Sequence, residues 1–132
     1  MRSRISRAAL AIVLLAPACA SGHGKAEQGS PAPDDPVVLQ ITNNTWSDVD
    51  VFVLASSIRA RVGEVTSQGT EELPLPRNVW AYGSIQVRVD PVGGGPPYVT
   101  DRIDIHGGQR ITLTVEQQTG LSSWVVENLS RW

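Results

Sequence analysis

The chain has a single cysteine, Cys19, a single lysine, Lys25, and two histidines among its 132 residues. One cysteine excludes an intramolecular disulfide framework, so stability has to come from a packed core. With that cysteine near the N-terminus, no His/Cys zinc or iron site can be assembled, and no cofactor is implied. No apolar run is long enough to span a bilayer: the longest, residues 8–16, would rise about 14 Å as a helix against a hydrocarbon core of about 30 Å. No stretch shows the i, i+3, i+4 spacing of a helix, and the chain holds only one phenylalanine. Basic clusters are missing too. Three of the eleven basic residues are Arg2, Arg4 and Arg7, which leaves eight against thirteen acidic residues beyond them, a balance of −5. A surface of that sign repels phosphate backbones, so nucleic acid is not an expected partner.

What is present at the N-terminus is the anatomy of an export signal. Three arginines precede the nine-residue apolar run, and small residues follow at Ala16, Ala18 and Ala20. Ala16-Pro17-Ala18-Cys19 resembles the lipobox of bacterial lipoproteins. That resemblance implies cleavage after Ala18 and lipidation of Cys19, with thioether-linked diacylglycerol and an acylated amine fixing the chain to a membrane. It departs from the family in carrying Ala16 where leucine is usual and Pro17 in between. Ala16-x-Ala18 also fits an ordinary signal-peptidase site, and the two readings differ only in the lipid. Ala20 stands where an aspartate resembles an inner-membrane retention signal, which points toward the outer membrane or the periplasmic face.

Residues 19–36 combine the cysteine with a Gly-, Ser-, Pro- and charge-rich linker that has no apolar periodicity. As a flexible coil, 17 residues span about 20 to 25 Å, enough to lift a small domain clear of headgroups. The expected organisation is a signal peptide over 1–18, an anchor and linker over 19–36 and one domain over 37–132.

That domain has a period of two. Ile85, Val87 and Val89 alternate with Gln86, Arg88 and Asp90, and Ile111, Leu113 and Val115 alternate with Arg110, Thr112 and Thr114. Val49, Val51 and Val53 form a third such row, with Phe52 and Leu54 making a central strand. Ile58, Ala60 and Val62 alternate with Arg59 and Arg61 until Gly63 shifts the phase, the mark of a bulge. Val99, Ile103 and Ile105 share a face that Asp101 interrupts. Turn residues separate these runs at short intervals, as at Asn43-Asn44, Gln68-Gly69, Gly93-Gly94-Gly95 and Gly107-Gly108. About seven or eight short strands predict an all-β antiparallel sandwich, with a small barrel as the alternative. VDVFVL followed by RARVGEVTSQGTEELPLP resembles the strand rhythm of immunoglobulin-like and prealbumin-like accessory domains of bacterial envelope proteins, which implies a fold but no activity.

Catalytic groupings are sparse. His106 is the only histidine of the domain, so it alone could serve a serine nucleophile as base or join Asp101 and Asp104 around a cation. Glu64, Glu71, Glu72, Asp101 and Asp104 are the candidates for a paired-carboxylate site. The triplets Asn43-x-Thr45 and Asn128-x-Ser130 match the glycosylation pattern by chance in a bacterial context. The aromatic residues are more suggestive. Trp124 reads as core, whereas Trp46, Trp80 and Tyr82 flank turn-rich segments, where exposed rings could contact a glycan or an envelope protein. The expectation is a non-catalytic binding or accessory module. A carbohydrate-binding module requires those three rings on one surface, and a hydrolase requires a partnered His106.

Overall fold

The computed structural model describes residue 32 and residues 34–129. The expected signal peptide, Cys19 and most of the linker lie outside the described residues, as does Trp132.

Two sheets pack face to face. The first has the order β4-β1-β8-β9, built from β1 (Val38–Asn43), β4 (Thr70–Pro74), β8 (Gln109–Val115) and β9 (Ser123–Asn128). The second has β3 (Ile58–Val65), β2 (Val49–Ala55) and β5 (Ser84–Pro91) side by side. Two short strands, β6 (Tyr98–Val99) and β7 (Ile103–Asp104), pair with successive parts of β5 and together make one interrupted edge. The all-β sandwich expected from the periodicity is therefore the fold, with open sheets in place of a closed barrel. One pair departs from antiparallel: β1 and β8 run parallel, Leu39 opposite Ile111 and Ile41 opposite Leu113.

Alternation explains the core. Leu39 and Ile41 of β1, Val49, Val51 and Val53 of β2, Ile85, Val87 and Val89 of β5, and Ile111 and Leu113 of β8 point between the sheets and are buried. Each such side chain contributes about 1.5–3 kcal/mol relative to exposure. Their outward neighbours, Thr42, Gln40, Arg88 and Thr112, face solvent on at least one side. β2 runs centrally between β3 and β5, as its two-sided apolar half requires. Val51 pairs with Gly63 and Phe52 with Arg61, so Val62 is the extra residue of the bulge that Gly63 signalled.

The run after Val99 folds differently from its expected phase. Val99 is exposed and Thr100 is buried. The Thr100 hydroxyl accepts the Val87 N–H at 3.0 Å, and its own N–H donates to the Val87 carbonyl at 2.9 Å. A side-chain oxygen thus replaces a ladder carbonyl where the edge strand breaks, and the alternation resumes on the other phase at Ile103.

Between β4 and β5 lies a single helical turn, α1 (Arg77–Trp80), entered through Pro76 in an extended conformation. It buries Val79 and Trp80 over one end of the sandwich. The described residues of the expected linker are bonded to the domain. Ala32 N–H donates to the Asp35 carboxylate at 2.7 Å, Asp34 pairs with Arg77, and Gly108 N–H lies 3.2 Å from both the Asp35 and Pro36 carbonyls. Val37, the next residue, is already core.

Candidate functional site

Strand directions define two poles. β1 runs from Val38 at the pole where Ala32 and Asp34 sit to Asn43 at the opposite, distal pole. The residue pairs Val49–Pro91 and Val49–Val65 place the start of β2 at the distal pole as well, while Leu54–Gln86 lies toward the N-terminal pole.

Asn43 ties the distal pole together. It is fully buried, and its amide nitrogen reaches the carbonyls of Ser47 at 2.9 Å, Thr66 at 3.1 Å and Val65 at 3.3 Å. Its amide oxygen accepts the Thr45 N–H at 3.0 Å and the Thr45 hydroxyl at 2.7 Å. The Asn43-x-Thr45 triplet is therefore a structural clasp, closed to modification by burial. Further braces join the loops: Ser67 N–H donates to the Asp48 carboxylate, Val92 N–H to the Asp48 carbonyl, and the Gln68 amide to the Thr45 carbonyl. Loops fixed in this way lose little conformational freedom when a ligand settles on them.

A cleft of about 190 Å³ opens among these loops. Its floor is apolar, formed by Val49, Val89 and Val115, and Tyr98, Pro96, Glu116 and Gln117 form its walls. Gly94 and Gly95, at φ of 86° and 133°, let residues 91–97 turn tightly over one side, a path closed to most side chains. The Tyr98 phenol is pushed above its ordinary pKa by burial and then by the negative charge of Asp101, so it stays a neutral hydroxyl at physiological pH.

Trp46 stands at this pole with 79% of its surface exposed, its backbone N–H donating to the Gln117 side chain at 3.2 Å. The other two aromatics are elsewhere. Trp80 is only 5% exposed, its indole N–H donating to the Leu75 carbonyl at 3.2 Å and the Arg77 guanidinium carbon 5.9 Å from its ring centroid. It plugs the N-terminal pole, because the turn beginning at Pro76 folds the ring inward. Tyr82 is 65% exposed but precedes β5, and eight residues of strand, about 26 Å, separate it from the distal pole. The expected three-ring surface is overturned, and the carbohydrate module that required it goes with it. Trp124 is half-buried against the core, as its position in a strand suggested.

A second hollow, of about 370 Å³, lies at the N-terminal pole beside Tyr82, Ser56, Gln86 and Arg102. The outer face of the second sheet is charged and internally balanced. Arg61 binds Asp50 at 2.9 Å and Glu64 at 3.2 Å, while Arg59 and Arg88 share Asp90. Arg59 also lies 4.2 Å from the Phe52 ring centroid. Exposed pairs of this kind contribute about 0–1 kcal/mol each.

The candidate chemistry is not brought together. Glu64 is held by Arg61 on one sheet and Glu72 by Arg110 at 3.0 Å on the other. His106 is exposed, and among the described residues its imidazole hydrogen-bonds neither a serine nor a carboxylate. No group of three or more His, Cys, Asp or Glu side chains suited to a metal ion occurs among the described residues. Sequence reasoning missed a row of hydroxyls across the first sheet: Thr70, Thr42, Thr114 and Ser123 are successive cross-strand partners, with the Thr42 and Thr70 oxygens 3.1 Å apart. The signal was present in the polar halves of the alternations, but a row across strands needs the register.

No family model and no curated protein sequence matches the chain. Among solved structures it is similar to an NMR structure of a protein from Eubacterium rectale, at 12% identity and a TM-score of 0.43, covering 78% of this chain and 97% of that one. It is also similar to a "putative cell adhesion protein" from Bacteroides ovatus ATCC 8483, at 8% identity and a TM-score of 0.42, covering 74% of this chain and 45% of that one.

Proposed function

We propose that this chain is a non-catalytic module of the bacterial cell envelope, exported, tethered to a membrane through a lipid on Cys19, and recognising an envelope partner with its distal pole. The observation that carries this reading is the exposed Trp46, placed between Thr45 and Ser47, which line a braced cleft with an apolar floor at the pole opposite Ala32. A large aromatic ring exposed next to a fixed apolar hollow is the kind of anchor that dominates binding energy. A tether at the N-terminal pole leaves the distal pole free of the attachment point, and the lipobox-like Ala16-Pro17-Ala18-Cys19 supplies the tether.

Two measurements on the full chain test this. A photo-crosslinking residue at position 46 is expected to capture a discrete partner in producing cells, while the same residue at position 82 does not. Trp46→Ala should weaken that association about thirtyfold, the effect of losing roughly 2 kcal/mol, and leave stability within about 0.5 kcal/mol. Equal capture at both positions, or none at 46, would refute the recognition surface. Cys19→Ser should move the protein out of the membrane fraction, and unchanged membrane association would refute the anchor independently.

A further inference from the structure

Each sheet has two edges, and three of the four carry a device against pairing. β4 contains Pro74 and the charged pair Glu71-Glu72. β3 is bulged at Val62 and lined by Arg59 and Arg61. The β6/β7 edge is broken over residues 100–102, with Pro96-Pro97 leading into it. Prolines, bulges, charges and interruptions are how native sheets keep their edges from joining. β9 has none of these at its centre: Trp124-Val125-Val126 is regular and uncharged, and Val125 is 55% exposed.

The open hydrogen-bonding groups of this edge can be assigned. Leu129 N–H donates to the Gly108 carbonyl at 2.8 Å, continuing the register in which Gln109 opposes Asn128. In an antiparallel ladder the hydrogen-bonded pairs alternate, so Glu127, Val125 and Ser123 turn their backbone groups toward β8. Trp124, Val126 and Asn128 turn theirs outward, and among the described residues no other element pairs with them.

We infer that β9 pairs antiparallel with β9 of a second copy of this chain, joining two four-stranded sheets into one of eight strands. The sequence is self-complementary in one register. With Val125 opposite Val125, each Trp124 faces the other copy's Val126 and exchanges with it the outward backbone bonds assigned above. Ser123 then faces Glu127, and no like charges meet. Sliding by one pair sets Val125 against Glu127 and Trp124 against Asn128 in one direction, and Val125 against Ser123 and Val126 against Ser122 in the other, so either slide puts apolar side chains against polar ones, which cross-strand energetics disfavour. The interface is distinct from the Trp46 pole and does not depend on the function proposed for it.

The register makes the test sharp. In it, Val125 opposes itself at a non-hydrogen-bonded site with Cα atoms about 4.5 Å apart, which suits a disulfide. Full chain carrying Cys19→Ser and Val125→Cys, purified and mildly oxidised, is expected to form a covalent dimer several-fold faster than Cys19→Ser with Glu127→Cys. A mixture of Ser123→Cys and Glu127→Cys chains, both in the Cys19→Ser background, should crosslink where neither does alone. Val125→Lys should leave the circular dichroism unchanged and convert the protein to monomer in sedimentation. Crosslinking of Glu127→Cys alone at the rate of Val125→Cys would mean random collision, and a monomeric Cys19→Ser chain at tens of micromolar would refute the pairing outright.

Discussion

Asn43 shows how much a single residue can decide. A polar side chain without any exposed surface is tolerated only when its groups are satisfied, and here the amide serves three carbonyls with its nitrogen and two Thr45 donors with its oxygen. Removing it takes the amide donor from all three carbonyls, leaving Ser47 only the Thr45 hydroxyl and Thr66 the Gly69 N–H, and strips the Thr45 N–H of its acceptor. Asn43→Ala is therefore expected to cost about 2–3 kcal/mol, the scale of leaving buried polar groups unpaired, measured as a lower urea midpoint by tryptophan fluorescence. Asn43→Asp should cost more, because a carboxylate would face the carbonyls of Ser47, Val65 and Thr66. If alanine shifts stability by less than about 0.5 kcal/mol, the range of neutral surface changes, the clasp has been misjudged. The same residue marks a boundary of what could be read from the chain alone. Asn43-Asn44 announced a turn, but its role depends also on the Val65 and Thr66 carbonyls more than twenty positions away, and nothing local specifies those. Trp80 is the reverse case. Its proline-rich neighbourhood suggested exposure, yet one helical turn after Pro76 suffices to fold the ring inward. For a large ring, burial was the cheaper outcome once a carbonyl, that of Leu75, stood ready for the indole N–H.

Among the elements, strands and faces were legible because a half-buried strand writes its burial into every second residue. The bulge was legible for the same reason, since Gly63 breaks that count. Partners were not: the period is the same whether a strand meets its neighbour parallel or antiparallel, so the β1–β8 pairing could be learned only from the fold. The β3–β4 corner allows a test of how tightly these elements fit. A Cβ on Gly63 would lie 2.7 Å from Leu73 Cδ2 and 3.1 Å from Cδ1. Leu73 packs against the core, so it can yield only by giving up contacts. Gly63→Ala is expected to destabilise by about 1 kcal/mol, the low end for overpacking, because the clash is with the tip of a side chain. In a Leu73→Ala background the same change should be neutral or stabilising by about 0.5 kcal/mol, since alanine restricts the unfolded strand more than glycine does. Chemical denaturation of the four-member cycle measures the coupling. Additive effects would mean that Leu73 does not occupy the space in front of Gly63.

For the molecule as a whole, the governing fact is that its first strand lies in the middle of a sheet. β1 is held by β4 on one side and β8 on the other, and Val38 finds Arg110 across 72 positions of chain. Both the N-terminal pole and the clasp at Asn43 hang on this strand, so the candidate recognition surface and the proposed point of tethering are the two ends of one element. An antiparallel β9 dimer sends its two N-terminal poles in opposite directions. With the anchor proposed at Cys19, both chains of such a dimer meet a single membrane when the strands lie along its plane. The central place of β1 also sets how the domain folds. Its ladder with β8 forms only after a long loop closes, and that entropy has to be lost before most of the first sheet is stabilised. Sandwiches dominated by such distant pairings fold in milliseconds to seconds, and this chain should do so as one cooperative unit, with no stable subset of strands. Stopped-flow refolding followed by the tryptophans, with Trp80 buried and Trp124 half-buried in the folded state, measures the rate. Gln40→Pro tests the cooperativity: proline removes a backbone donor and distorts a strand bonded on both sides. It is expected to abolish folding of both sheets together, seen as loss of both β circular dichroism and the buried Trp80 environment in the absence of denaturant. Survival of the β3-β2-β5 sheet alone would show that the second sheet folds without the first.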